Sequence, residues 1–93
     1  MCKNACAFSK DVIVVNELGI HARSAAKIAE LAQNAKSKVW VQKGDEKVDA
    51  KSIMDILTLA CAKGSTIRIA IDDQSDRDTF NKIIKLVKNG FEE

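Results

Sequence analysis

The chain has 93 residues, of which 46% are hydrophobic and 30% charged, and its formal net charge is +2. This length fits one domain, 1–93, with a single core, and leaves no room for a second domain. Aromatic residues make up only 4% of the chain, so the core must consist of Ile, Val, Leu and Ala, which disfavours a haem or flavin cavity. Basic and acidic residues are interleaved, so nucleic acid is not the expected partner.

The N-terminal segment, MCKNACAFSK, lacks the apolar stretch of a signal peptide, and no later apolar run reaches the ~20 residues that span a bilayer. We therefore expect a cytoplasmic protein without membrane insertion, in which residues 1–9 form an extension and the start of the first strand. Cys2 and Cys6 fall short of the four ligands of a structural metal site, so no metal is expected. Cys61, inside an apolar helical pattern, is predicted to be a small core residue.

The first half of the chain predicts a strand, a helix and a hairpin. DVIVVN at 11–16 is short and β-branched, which favours a strand. From Ala22 to Ala35 the apolar residues recur in steps of three and four, as in an amphipathic helix. KVWVQKGDEKVDA at 38–50 then predicts a hairpin that turns at Gly44 and Asp45.

The second half predicts a short helix, a strand and a last helix. Ser52 is placed to cap the short helix and Gly64 to stop it. The run TIRIAI alternates like a strand with one buried face. Ser75 or Asp76 is predicted to cap the last helix, which ends at Asn89–Gly90. The order β-α-β-β-α-β-α predicts an α+β fold, with a four-stranded, mainly antiparallel sheet covered on one face by three helices.

The single histidine of the chain, His21, lies directly before the first predicted helix. A helix N-terminus has backbone N–H groups without intrahelical partners and a partial positive charge, so it binds anions such as phosphate. A neutral imidazole offers a lone pair for attack on phosphorus, and the guanidinium of Arg23 suits phosphoryl oxygens. The pattern predicts a phosphohistidine, while the alternative is a surface or capping histidine without chemistry.

Two longer stretches are more specific than any single residue. LGIHARSAAKIAELA at 18–32 and DAKSIMDILTLACAKGSTIRI at 49–69 resemble the HPr family of phosphocarrier proteins of the phosphoenolpyruvate-dependent sugar phosphotransferase system. The resemblance covers nearly the whole chain beyond the first several residues. It implies the HPr-like open-faced sandwich, and a phosphoryl group that His21 accepts on Nδ1 from Enzyme I and passes to Enzyme IIA domains. It also implies that Arg23 stabilises that group.

Ser24 stands where the family usually has proline. A proline would preset the backbone angle and remove a donor, whereas Ser24 adds an N–H and a hydroxyl for contact with phosphate, so we expect altered rates without loss of function. Ser52 matches a serine that an HPr kinase/phosphorylase modifies in some bacterial lineages. Ser52 is equally suited to a capping-box-like arrangement with Asp55, whose carboxylate would repel a phosphate on Ser52.

The short helix has more apolar residues than one covered face can hide. The resemblance implies that its residues Ile53, Met54 and Leu57 dock onto Enzyme I and Enzyme IIA, and a flexible methionine suits several partners. Lys27 and Lys51 are predicted to guide acidic partners, although a solvated surface lysine is the ordinary interpretation.

These inferences predict a monomeric carrier protein, not an enzyme, which relays phosphate between protein partners and needs no bound cofactor. Three alternatives stay open from the sequence. One is a regulatory family member that serves a nitrogen-related or incomplete phosphotransfer chain. Another is an interaction module that is never phosphorylated and acts through the Ser52 face. A metal site formed by Cys2, Cys6 and His21 is a third alternative.

Overall fold

A computed structural model of the chain describes residues 7–92. These residues form four strands and three helices in the predicted order: β1 Phe8–Ile13, α1 Ala22–Ala32, β2 Val39–Lys43, β3 Glu46–Asp49, α2 Ile53–Thr58, β4 Thr66–Ile71 and α3 Arg77–Lys88. Short 3-10 turns precede and follow α3, at Gln74–Asp76 and Gly90–Glu92. None of the helices in this part of the chain is long and apolar enough to cross a membrane.

The four strands form one antiparallel sheet in the order β1-β4-β2-β3. Alternate residues such as Val12, Val41 and Ile69 point into the core beneath the helices, while Asp11 and Arg68 lie opposite each other on the outer face and form an ion pair. The predicted α+β sandwich, with one covered and one open sheet face, is confirmed.

The core consists mainly of small aliphatic side chains, as the composition predicts. Isoleucine and valine residues from the sheet pack against alanine and isoleucine residues of α1 and the apolar stripe of α3. Cys61 is buried in this core, as predicted, and burial raises the pKa of its thiol while the charge of Lys43 acts in the opposite direction. The prediction for residues 1–6, with Cys2 and Cys6, lies outside the described residues.

The first strand begins at Phe8, within the segment 1–9 that was predicted to contain its start, but it ends earlier than predicted. Its ladder with β4 runs from Phe8 opposite Ile71 to Ile13 opposite Thr66, whereas the sequence pattern favoured 11–16. Pairing with β4 therefore sets the limits of this strand, and the β-branched residues after Ile13 belong to the connection toward α1.

Two of the predicted helix ends also differ. The helix α1 ends three residues before Ala35, because Asn34 and Ala35 donate to carbonyls three residues back, in the tighter pattern that ends many helices. The helix α2 ends well before Gly64, since Ala60 adopts a left-handed conformation with φ of 52°. The ammonium of Lys43 binds the carbonyl oxygens of Leu59 and Ala60 at this end.

Asp76, one of the two predicted caps, occupies the N-cap position of α3. Its side chain makes no capping hydrogen bond to the helix. Asp73 caps the preceding 3-10 turn by accepting from the Ser75 N–H at 2.9 Å. The buried carboxylate of Asp76 instead accepts from the backbone N–H groups of 36 and 37, which joins the connection after α1 to the start of α3.

Candidate functional site

The connection that carries His21 is pinned by the segment between α2 and β4. Val14 N–H donates to Ser65 O at 2.9 Å, and Ile20 N–H donates to Cys61 O at 2.8 Å. Gly19 has a φ of +67°, and a Cβ at this position would overlap with the Cys61 carbonyl oxygen. Only glycine allows this close approach at this backbone angle, so two segments far apart in sequence fix the start of α1.

His21 is the N-cap of α1. Its backbone is extended, with φ of −113° and ψ of −172°, and its Nδ1 accepts from the Arg23 N–H at 3.3 Å. An imidazole nitrogen that accepts a hydrogen bond carries a lone pair and no proton. The side chain is partly exposed, so this nitrogen lies at the helix N-terminus, within the partial positive charge of the helix dipole.

Ser24 completes a reciprocal capping box with His21. Its Oγ accepts from the His21 N–H at 2.8 Å and lies 3.1 Å from the His21 carbonyl oxygen. The serine is fully buried and its hydroxyl is bonded to this backbone, and its contact with phosphate stays a prediction. The hydroxyl faces the backbone behind the histidine, because the third residue of a helix is well placed to bond back to the N-cap.

Arg23 is the exposed cation of this first turn. Among residues 7–92 its guanidinium forms neither a hydrogen bond nor an ion pair. The first turn of α1 contains no acidic residue, so the positive field of the helix end and the guanidinium act in the same direction. This arrangement can stabilise an anion bound at His21.

Ser52 caps α2, as predicted, by accepting from the Asp55 N–H at 3.2 Å. The capping is one-sided, because the return bond of a capping box from the Asp55 carboxylate is not formed. Asp55 places a negative charge in the first turn of α2, in contrast to the start of α1.

The predicted apolar patch is exposed in part. Met54 is 72% exposed and Ile53 38% exposed, whereas Leu57 is half-buried against the core. Leu18, three residues before His21, is also 72% exposed. Leu18 was not predicted to be part of this patch, although it is an apolar residue in the loop just before His21.

A depression between α1 and the start of α2 joins four of the predicted residues, namely Arg23, Lys27, Lys51 and Ile53. His21, Ser24, Met54 and Leu57 do not line it. Sequence analysis missed Ala26, Glu30 and Gln33 in its wall, although they follow Arg23 at helical spacing.

Both lysines at this depression hold backbone carbonyls. Lys27 Nζ donates to Phe91 O at 2.7 Å, and Lys51 Nζ donates to Ala35 O at 3.4 Å. These bonds leave the charges in place, so the predicted attraction of acidic partners stays a prediction. Across the part of the chain that the structure describes, no group of three metal-ligating side chains occurs.

Comparison with known proteins agrees with this geometry. The family model described as the PTS HPr component phosphorylation site matches residues 8–89. The phosphocarrier protein HPr of Cupriavidus necator is 37% identical over 84 residues, which are 90% of this chain and 94% of that protein.

Solved structures are similar as well. A crystal structure of HPr from Thermoanaerobacter tengcongensis matches with a TM-score of 0.84 and 31% identity, over 92% of this chain and 97% of that chain. A structure described as an HPr dimer from the same organism has a TM-score of 0.70 and 32% identity, over 88% and 94%. The chain therefore belongs to the HPr family of phosphocarrier proteins.

Proposed function

We propose that this chain carries a phosphoryl group on Nδ1 of His21, taken from Enzyme I and passed to Enzyme IIA in sugar uptake and phosphorylation. The observation that supports this most directly is the acceptor geometry of Nδ1, 3.3 Å from the Arg23 N–H at the start of α1. The lone pair that accepts this hydrogen bond is the one that would attack phosphorus.

The transfer step needs only the residues of this helix end. The Nδ1 lone pair gives up its hydrogen bond from the Arg23 N–H and forms the new bond to phosphorus, while the bond from phosphorus to the donor breaks and the electron pair of the broken bond stays with the donor. The imidazole gains a positive charge, which loss of the Nε2 proton or the onward transfer removes. Arg23 and the helix N–H groups stabilise the charge spread over the phosphoryl oxygens during transfer.

The partners follow from the same surface. Ile53 lines a depression together with Arg23, Lys27, Lys51 and the acidic Glu30, and the exposed Met54 follows Ile53 in α2. Exposed apolar side chains beside a net positive charge suit proteins that present an apolar and acidic surface, and this supports Enzyme I and Enzyme IIA as partners. The proposal places the protein in the cytoplasm, where phosphoenolpyruvate is made.

The proposal is tested by incubating the protein with phosphoenolpyruvate, magnesium and Enzyme I from the same source. Intact mass and ³¹P NMR are compared for the wild type and His21→Ala. An acid-labile phosphoramidate on the wild type alone supports the carrier. No label on the wild type contradicts it, and would leave the interaction module acting through the Ser52 face as the remaining function.

The wider role has its own test. If the labelled protein donates to a sugar-specific Enzyme IIA, the sugar pathway is supported, whereas donation only to a nitrogen-related acceptor favours the regulatory alternative. The expected monomer is checked by light scattering, since a solved relative is described as an HPr dimer. Ser52 is proposed as a site for HPr kinase/phosphorylase. The negative charge of Asp55 would repel the added phosphate and so reduce this modification.

A further inference from the structure

Ser24 is a fully buried polar residue directly behind the proposed phosphoryl acceptor. Its hydroxyl has one proton and two lone pairs. The oxygen accepts from the His21 N–H at 2.8 Å, and the proton can be donated to His21 O at 3.1 Å or to Gly19 O at 3.4 Å. The hydroxyl of Ser24 therefore always bonds to the His21 backbone and lies within reach of the Gly19 carbonyl.

The same segment is held from its other side. Asn16 Nδ2 donates to Gly19 O at 2.7 Å, and the Gly19 N–H donates to Asn16 O at 3.1 Å. The backbone of 19–21 is thus enclosed between the turn before it and the hydroxyl of Ser24. The imidazole of His21 is oriented by the hydrogen bond that its Nδ1 accepts from the Arg23 N–H.

We propose that Ser24 is a positioning residue for phosphoryl transfer, whose hydroxyl holds the His21 backbone so that Nδ1 stays unprotonated beside the Arg23 N–H at the start of α1. This inference rests on the proposed function for its effect on transfer. Its effect on the imidazole does not depend on any partner. In this role Ser24 acts through His21.

The experiment compares the wild type with Ser24→Ala, which removes the hydroxyl at nearly constant volume, and Ser24→Thr, which keeps it. Two quantities are measured: the single-turnover rate of phosphoryl transfer from phosphorylated Enzyme I, and the ¹⁵N shifts of the His21 imidazole, which report the tautomer. Asp73→Ala is the matched control, because it also removes a side-chain cap. It does so at the opposite end of the fold, since Asp73 follows the end of β4 that pairs with the beginning of β1.

Ser24→Ala is expected to slow transfer about fivefold, the factor that the typical loss of a helix cap converts to. Its imidazole shifts should move toward those of a free histidine with mixed tautomers. Ser24→Thr should stay within about twofold of the wild type, and Asp73→Ala should lose stability without either change. Thermal unfolding of each variant verifies that it is folded at the temperature of the assay.

The proposal is overturned if Ser24→Ala keeps the rate and the imidazole shifts of the wild type. A folded Ser24→Thr as slow as Ser24→Ala would also overturn it, because packing rather than the hydroxyl would then be responsible. If the wild type is never phosphorylated, the proposed function fails, while the imidazole shifts of the three proteins still decide whether Ser24 positions His21.

Discussion

The starts of α1 and α2 are built alike and charged differently. Each has a side-chain cap, from His21 in α1 and Ser52 in α2. The cap of α1 is reciprocal, and a buried serine supports it, whereas the cap of α2 is one-sided and belongs to a helix of six residues. The first turn of α1 has Arg23 and no carboxylate, while that of α2 has Asp55. Capping alone therefore does not make a phosphate site, because the sign of the nearby charge decides whether an anion is stabilised.

The largest effect is expected from a substitution that disrupts the packing at the start of α1. Gly19→Ala should lower the free energy of unfolding by about 3 kcal/mol, because the new Cβ meets the Cys61 carbonyl at a positive φ. Gly44→Ala is the control, since Gly44 has a similar φ of +60° with open space around it, and should cost about 1 kcal/mol. Urea unfolding measures both, and equal losses would contradict the close approach.

The second largest effect is expected when the positive charge of Arg23 is removed from the start of α1. Arg23→Gln should slow phosphorylation of His21 about a hundredfold, because a preorganised donor to the phosphoryl oxygens is lost. Arg77→Gln is the control, because it removes an arginine from the first turn of another helix, α3, outside the site. Rapid-quench assays with Enzyme I give both rates. Similar rates for the two variants would show that Arg23 has no particular role.

A smaller effect is expected at the start of α2. Asp55→Asn should raise labelling of Ser52 by an HPr kinase about threefold, because the carboxylate no longer repels the incoming phosphate. Asp45→Asn in the hairpin turn is the control for a general change of charge. Phosphoserine is quantified by mass spectrometry. If the kinase labels neither the wild type nor Asp55→Asn, Ser52 is not a regulatory site and serves only as a cap.

The smallest effect is expected at the 3-10 turn Gln74–Asp76, whose N-terminus is capped by Asp73. The backbone N–H of Ser75 lowers the pKa of the exposed Asp73 carboxyl below its ordinary value of 3.8. A lowered pKa in the folded state means that the carboxylate stabilises the fold above pH 3.8, and that this stability is lost as the pH falls through the lowered value. The difference in stability between wild type and Asp73→Ala should therefore shrink below pH 3.8. A difference that grew on acidification would reverse the assigned sign.

Local patterns were sufficient to predict much of the site and the order of its elements. A histidine before a helical run, with an arginine two residues later, predicted the place of both residues at a helix start, and the resemblance to the HPr family singled them out as site residues. Ser52 was found as a cap from the same kind of pattern. These features depend on residues within one or two turns of each other, where helix geometry relates sequence spacing to position.

Features that depend on distant partners were missed or misplaced. The end of α2 is not at Gly64, because Lys43 from another strand meets the last carbonyls and Ala60 turns left-handed. The bond from the Lys27 ammonium to the carbonyl of Phe91, 64 residues away, was also missed, while the predicted role of Lys27 toward partners stays a prediction. The residues next to each lysine in the sequence do not predict these contacts.

The sequence by itself determined the fold class, the family, and the place of His21 and Arg23 at a helix start, since periodicity and motif spacing are properties of neighbouring residues. Tertiary structure alone decided the direction of the Ser24 hydroxyl, the limits of β1, and the close approach of Gly19 to Cys61. The physical reason is that hydrogen-bond partners and steric limits are set by what the folded chain brings near each group.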